Sequence, residues 1–303
     1  MTGAPPAAKP GQPVLRFAPS PTGRLHLGHA LSALVNVELV RRLGGRFLIR
    51  IEDTDLTRCR PDYAQAMLED LEWLGVRSDG PILRQSEHLA VYAAAADRLA
   101  GMGLLYPCFA TRQEIQAAAV PGQVDPDGAP IYPGLYRGLA ADEAARRMAA
   151  GEAYALRLDM GRAVALALGA TGGAPITYTE IETDGDAPRR VMADPMRWGD
   201  VVIVRKETAA SYHLAVVVDD ARQDISHVVR GADLRAATDI HRLLQVLLGL
   251  PEPLYRHHRL IVDADGRKLA KRAGDTSLAE LRGRGATPAD IRRMVGLEME
   301  MQC

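Results

Sequence analysis

His26 and His29, with Gly28 between them, form the pattern His-Leu-Gly-His. Three residues apart on the first turn of a helix, two imidazoles lie close together and can donate hydrogen bonds to phosphate oxygens. A helix N-terminus adds free N–H groups and the positive end of the dipole, both favourable to phosphate. Gly28 lets a ligand approach the backbone. Lys268 and Lys271 stand three apart in the run RKLAKR. Such a cation pair stabilises charge on a transferring or leaving phosphate. The run RIEDTD, 50–55, carries Glu52, whose carboxylate can hold an ammonium group, while Arg50 or Arg58 can hold carboxylates in place. Each pattern alone has a plainer explanation. His26 could be a local cap, the lysines an exposed turn, and Asp55 or Thr57 the cap of a following helix.

The elements that must position these groups read as strand, helix, strand. Residues 14–18 are a short apolar run ended by Pro19 and Pro21. Leu31, Leu34, Val35 and Leu39 recur at helical spacing over 25–43, and Gly44-Gly45 supplies a stop. A helix beginning near Arg24 or Leu25 puts both histidines on its first turn. The apolar run 46–51 predicts the next strand, hence a right-handed parallel crossover. Ligands of such sheets bind beyond the carboxyl ends of the strands, where Glu52 falls.

Composition sets the frame. The chain has 303 residues, 47% of them hydrophobic, enough for one large domain or a domain with an insertion. Helix formers alternate with strand formers, which predicts α/β. A formal net charge of −1 gives no global attraction for nucleic acid, so any such contact must use local basic patches. Cys59, Cys108 and Cys303 are scattered and odd in number, which fits a reducing cytoplasm better than a disulfide framework. Residues 1–13 lack an apolar segment and an arginine, and read as a disordered leader. No apolar run reaches membrane-spanning length. Residues 120–138 are rich in Pro and Gly and predict an irregular stretch.

FAPSPTGRLHLGHA at 17–30, followed by KLAKR at 268–272, resembles the HIGH and KMSKS motifs of class I aminoacyl-tRNA synthetases. RFAPSPTG, RIEDTD and SYHLAVVVDDARQDISHVVRGADL at 211–234 narrow the resemblance to the glutamyl and glutaminyl branch, as do LEWLGV, QSEHLAVY and LLQVLLGLPEP. The resemblance spans residues 14–275. It implies an α/β fold with a Rossmann-like catalytic core in 14–105 and 190–250. An inserted α/β acceptor-type subdomain would occupy 106–189, with a KMSKS-like loop and short helical tail in 251–303.

The implied reaction joins glutamate and ATP into glutamyl-adenylate with release of pyrophosphate, then passes the acyl group to an RNA hydroxyl. Positioning and neutralisation do most of the work. Matched position by position, His26, Gly28, His29 and Lys271 contact ATP, and His26, His29, Lys268 and Lys271 form the catalytic set. Arg16, Phe17, Ala18, Pro19 and Ser20 face the amino acid, Glu52 holds its ammonium group, and Tyr212 and Arg230 complete the pocket. Residue chemistry agrees in kind: Arg16 and Arg230 read a carboxylate bidentately and an amide poorly, favouring glutamate over glutamine. Magnesium is expected with the ATP phosphates and not in a protein cage.

About thirty residues follow Lys271, too few for an independent anticodon-binding domain. That length, GADL after VVR, and Val216 resemble the glutamyl-Q tRNA(Asp) synthetases, a short family that attaches glutamate to queuosine in the anticodon of tRNA(Asp). The implied partners are glutamate, ATP and tRNA(Asp), in a cytoplasmic protein with a monomer as the default state. Arg189, Arg190, Arg205 and Lys206 are candidate phosphate contacts. Many members of the branch bind zinc through Cys-x-Cys and Tyr-x3-Cys. Here only Cys108 and Tyr132 match, with Ala110 and Tyr136 at the other two places. Two donors do not make a tetrahedral site, so zinc is expected to be absent and Cys108 to be a small buried residue. Two other enzymes remain open: a truncated glutamyl-tRNA synthetase charging the tRNA 3′ end, and an HxGH adenylyltransferase or ligase. RIEDTD and YHLAVVVDD argue against the second, and the four intact His and Lys argue against a non-catalytic RNA-binding relic.

Overall fold

Val14, Leu15 and Phe17 are buried on one apolar run, and Phe47, Leu48, Ile49 and Ile51 on another. Burial of successive residues is what a strand covered on both faces requires. The structure is a computed structural model and describes residues 11–182, 186–208, 210–261 and 276–297. Within them, strands β1 (Val14–Phe17), β2 (Arg46–Ile51), β3 (Leu83–Arg84), β6 (Thr177–Glu180), β7 (Arg189–Met192), β9 (His227–Gly231) and β10 (Leu254–His258) form one sheet. A second sheet joins β4 (Leu105–Cys108), β5 (Ala155–Leu158) and β8 (Val202–Val204). The large sheet has the order β3-β2-β1-β9-β10-β6-β7 and is parallel except for β7, which runs antiparallel to β6. The small sheet is antiparallel.

β1 pairs with β2 from Val14↔Arg46 to Phe17↔Ile49, across the helix Leu27–Leu43. That helix starts at Leu27, later than the sequence spacing suggests, because His26 takes the N-cap with an extended backbone, φ −129°. Gly44 ends it at φ 60°, a left-handed conformation that glycine adopts without a Cβ penalty. One face of the large sheet packs Phe17, Leu31, Leu34, Met67 and Leu71. A second core holds Tyr92, Leu99, Leu158, Leu214, Leu243 and Leu244. Val216 is buried in that second core, on the helix Tyr212–Arg222.

Two expected boundaries differ. The hairpin β6–β7 belongs to the large sheet and β8 to the small one, so the sheets do not divide at 106 and 189. β10, expected in the tail segment, pairs with β9 along its whole length, from Leu254↔His227 to His258↔Gly231. The helical tail carries two helices, Leu278–Gly283 and Pro288–Met294. Both have capping boxes, Ser277 with Glu280 and Thr287 with Asp290, which satisfy the first free N–H groups. Leu278 and Ile291 are buried against the first core, and Leu278 N donates to Leu25 O at 2.9 Å. At the other end residues 1–10 lie outside the described residues. Gln12 Nε2 donates to Gly44 O at 3.1 Å and Pro13 O accepts from Arg46 N at 2.7 Å, so the leader is tied down from Gln12 onward.

Candidate active site

A cavity of about 630 Å³ opens beyond the carboxyl ends of β1, β2 and β9, where a parallel sheet of this kind binds ligands. Its walls hold Arg16 and Phe17 from β1, then Ala18, Pro19 and Ser20 from the loop. His26, Gly28 and His29 come from the helix start, Glu52 from the end of β2, Tyr212 from the helix Tyr212–Arg222, and Arg230 from β9. Every expected site residue that the structure describes lines this one cavity. Lys268 and Lys271 lie outside the described residues. Arg58, read from the sequence as a possible holder of carboxylates, also lines the cavity, as do Asp233, His258 and Ile261, which were not singled out.

The two histidines have a fixed geometry. His26 Nδ1 accepts from Gly28 N at 3.1 Å, and His29 Nδ1 accepts from His26 N at 3.3 Å. Their ring centroids are 3.9 Å apart. A neutral imidazole that accepts at Nδ1 carries its proton on Nε2, the atom that can donate to a phosphate. His26 is therefore both a local cap and a candidate donor. Gly28 has a second reason to be glycine: a Cβ there would stand 3.0 Å from His26 Cε1 and displace the capping ring.

Beneath the cavity floor lies a buried ionic chain. Arg16 Nε and Nη2 donate to the two oxygens of Asp220 at 2.9 and 3.4 Å. Arg50, fully buried, donates from Nη1 to Asp220 Oδ1 at 2.7 Å and from Nη2 to Glu52 Oε1 at 3.2 Å. Burial pushes the Asp220 carboxyl upward, but Arg16 and Arg50 overcome it and hold it below the usual range. Burial wins at Glu52, whose carboxyl is raised in spite of Arg50 and Arg16. Glu52 N donates to Pro19 O at 3.0 Å, which ties the strand end to the first loop. Asp53 accepts from Ser86 N and Oγ, both at 2.8 Å, and so braces β2 from behind. Asp55 accepts from Thr57 Oγ1 at 2.7 Å and shapes the turn; Arg60 takes the N-cap position of the next helix without a side-chain capping bond.

Asp220, the shared partner of Arg16 and Arg50, was also missed by sequence reasoning. A signal was available: Asp219 and Asp220 end a helix, where carboxylates oppose the dipole, so they needed cationic or hydrogen-bonding partners. Asp219 finds Gln85, Tyr92 and Arg222, at 2.9, 2.7 and 2.9 Å.

The four candidate RNA contacts are engaged within the chain. Arg189 pairs with Glu180 and Glu182, Arg190 with Glu252, and Arg205 with Asp55, while Lys206 Nζ donates to Phe109 O. The positive charge of the three arginines is thus partly offset by neighbouring acids.

In the second sheet, Cys108 Sγ donates to Tyr132 Oη at 3.4 Å, and the same oxygen accepts from Tyr136 N at 2.9 Å. Arg157 lies over the Tyr132 ring at 3.9 Å, and Arg147 over Phe109 at 4.2 Å. Among the described residues no three His, Cys, Asp or Glu side chains are grouped to hold a metal. Protein purified without chelator or histidine tag is expected to carry no stoichiometric zinc by elemental analysis. About one zinc per chain would show that other ligands replace the missing thiolates. No helix among the described residues is long and apolar enough to cross a membrane.

Known proteins resemble this chain in sequence and in fold. The family described as "tRNA synthetases class I (E and Q), catalytic domain" matches residues 13–300. A glutamyl-Q tRNA(Asp) synthetase of Rhodobacter capsulatus is 46% identical over 294 residues, covering 94% of this chain and all of that one. A glutamate–tRNA ligase of a Methylobacterium species is 39% identical, and the match covers 94% of this chain but 60% of the ligase. The crystal structure of glutamate-tRNA synthetase from Elizabethkingia anophelis superposes with a TM-score of 0.74 at 26% identity, covering 94% of this chain and 61% of that one.

Proposed function

The chain belongs to the catalytic family of class I tRNA synthetases for glutamate and glutamine, ATP-using ligases, and from that premise we propose that it makes glutamyl-adenylate without RNA and transfers the glutamyl group to queuosine of tRNA(Asp). The observation that carries the activation step is the single cavity shared by Arg16, Glu52, Tyr212, Arg230 and the His26–His29 pair. Glutamate brings two carboxylates and one ammonium group. Glu52 takes the ammonium. The α-carboxylate must reach the α-phosphorus of ATP and so lies toward His26 and His29. Arg230 is left for the side-chain carboxylate.

Catalysis is then mostly positioning. Nε2–H groups of His26 and His29 hold the nucleotide phosphates, and the attacking carboxylate is oriented in line. Magnesium travels with ATP and neutralises its phosphates. Lys268 and Lys271 supply positive charge to the departing pyrophosphate.

The acceptor rests on similarity along the whole length of the R. capsulatus protein, whose name specifies tRNA(Asp). An anticodon stem is A-form with an unstacked loop, so shape and phosphate contacts can guide its docking. Pyrophosphate exchange with glutamate and ATP is expected to proceed without tRNA, with glutamate alone among the amino acids. A strict tRNA requirement would overturn RNA-independent activation. Labelled glutamate is expected in the anticodon fragment after nuclease digestion, and only on tRNA that contains queuosine. Label on the 3′-terminal adenosine would make the protein a 3′-end charging enzyme instead.

A further inference from the structure

Arg230 differs from the other two arginines at the floor of the site. Arg16 and Arg50 share the carboxylate of Asp220. Arg230 is 5% exposed and, among the described residues, has no carboxylate within ion-pair distance. Among the described residues its hydrogen bonds end on groups without formal charge. Nη1 donates to His241 Nδ1 at 3.0 Å and to Tyr212 Oη at 3.4 Å. Nη2 donates to Thr238 Oγ1 at 2.8 Å, and Nε to His257 Nε2 at 3.4 Å. Its face lies 5.6 Å from the Tyr255 ring.

A guanidinium can only donate, so the two imidazole nitrogens facing it carry no proton. This fixes both tautomers. His257 keeps its proton on Nδ1, 2.7 Å from Glu180 Oε1. His241 keeps its proton on Nε2, 3.2 Å from His213 Nδ1. Glu180 is itself neutralised by Arg189 at 3.0 Å and Arg235 at 2.8 Å, so it holds His257 without cancelling Arg230. Burial and then the charge of Arg230 push His257 down to about 4 and His241 well below its ordinary value, which keeps both rings neutral at pH 7.

We propose that His241 and His257 are positioning residues for amino-acid selection: as neutral acceptors they fix the guanidinium of Arg230 while leaving its charge for the substrate's side-chain carboxylate. A carboxylate in their place would anchor Arg230 equally well but would neutralise it and compete with the substrate. With neutral anchors, glutamate completes a buried charge pair, whereas glutamine leaves the guanidinium uncompensated, a costly state. A site built around one required partner rejects an analogue lacking it far better than an apolar pocket can.

The inference rests on Arg230 reading the side-chain carboxylate, and the test separates the two. The probe is tRNA-independent pyrophosphate exchange with glutamate and with glutamine. His241→Leu and His257→Leu are expected to raise the glutamate KM by about tenfold or more and to erode the glutamate preference in parallel. The ATP KM and the exchange rate at saturating glutamate should stay within about threefold. His241→Asn and His257→Gln return an oxygen acceptor near the lost nitrogen and should recover most of the KM. Nitrogen-15 spectra of histidine-labelled wild-type protein at pH 7 should show the Nδ1–H form for His257 and the Nε2–H form for His241. Leucine variants with unchanged KM and preference, or an imidazolium at either position, would overturn the proposal. If the leucine variants do not fold, the spectra and the Asn and Gln variants decide it. If Arg230→Met itself leaves the glutamate KM unchanged, the underlying assignment of Arg230 fails, and not merely the role of its anchors.

Discussion

An Asp220→Asn substitution is expected to destabilise the protein by about 3–5 kcal/mol, lowering its melting temperature on the order of 10 °C. The carboxylate sits between two arginines, one of them fully buried, and is the shared partner of both. Asparagine keeps the size but offers a single neutral acceptor, so Arg16 and Arg50 lose their shared carboxylate and are left with Glu52 and the more distant Asp219 to balance them. Leaving a buried charge uncompensated costs much more than the intact pair contributes over apolar residues of similar shape. The same contact has a pH signature. The Asp220 carboxyl is held below its ordinary value in the folded protein, so its contribution is complete above about pH 4, the unfolded value. It is lost as pH falls further, through the folded value. Denaturant melts of both proteins at pH 7 check the magnitude. A loss under about 1 kcal/mol would mean that Arg16 and Arg50 find other partners, and that the chain Arg16–Asp220–Arg50–Glu52 does not anchor the floor of the site.

How far the site was legible in the sequence follows from the range of its contacts. The first strand, helix and second strand carry local signals: apolar runs, Pro19 and Pro21, Gly44, and an apolar period of 3.6 residues. Such signals need no knowledge of the rest of the chain, and they brought His26, His29 and Glu52 to the sheet's carboxyl edge. The groups behind them were not legible, because their partners lie far along the sequence. Arg16 meets Asp220 across 204 positions, and Arg50 meets the same residue across 170. The anchors of Arg230 are spread over β10 and the helices Tyr212–Arg222 and Thr238–Leu248, and no local period marks His241 or His257 as special. The sheet boundaries failed for the same reason. Thr177–Glu180 is four residues long and reads alike whichever sheet it joins, and only pairing with Tyr255 settles its place. The tail was different. Ser277 with Glu280 and Thr287 with Asp290 are printed in the sequence as capping boxes, and they mark two helix starts. Gly28 was legible as a necessary glycine but for an incomplete reason: the close neighbour in the structure is the ring of His26.

Arg230→Met should separate catalysis from stability in the opposite sense to Asp220→Asn. Methionine fills similar volume without charge, so on the proposed assignment glutamate loses the partner of its side-chain carboxylate. Truncating one side of a buried, hydrogen-bonded charge pair costs about 2–5 kcal/mol, a fall of roughly 30- to 4,000-fold in the efficiency of glutamate activation. Glutamine, which gained nothing from the charge, should lose far less, and the preference between the two should shrink toward unity. The fold should suffer little by comparison. The partners of Arg230 are neutral, so its removal leaves no orphaned charge, only acceptors on Thr238, His241 and His257 that cost on the order of 1–3 kcal/mol. Arg230→Lys is the informative companion. It keeps a positive charge but lacks the planar fork that meets Tyr212, Thr238, His241 and His257 together. Its glutamate KM should fall between wild type and the methionine variant. Pyrophosphate exchange measured against both amino acids, without tRNA, reads all three proteins on one scale. A methionine variant that still prefers glutamate by the wild-type factor would move the reading of the side-chain carboxylate away from Arg230, leaving Arg16 as the remaining arginine singled out for it.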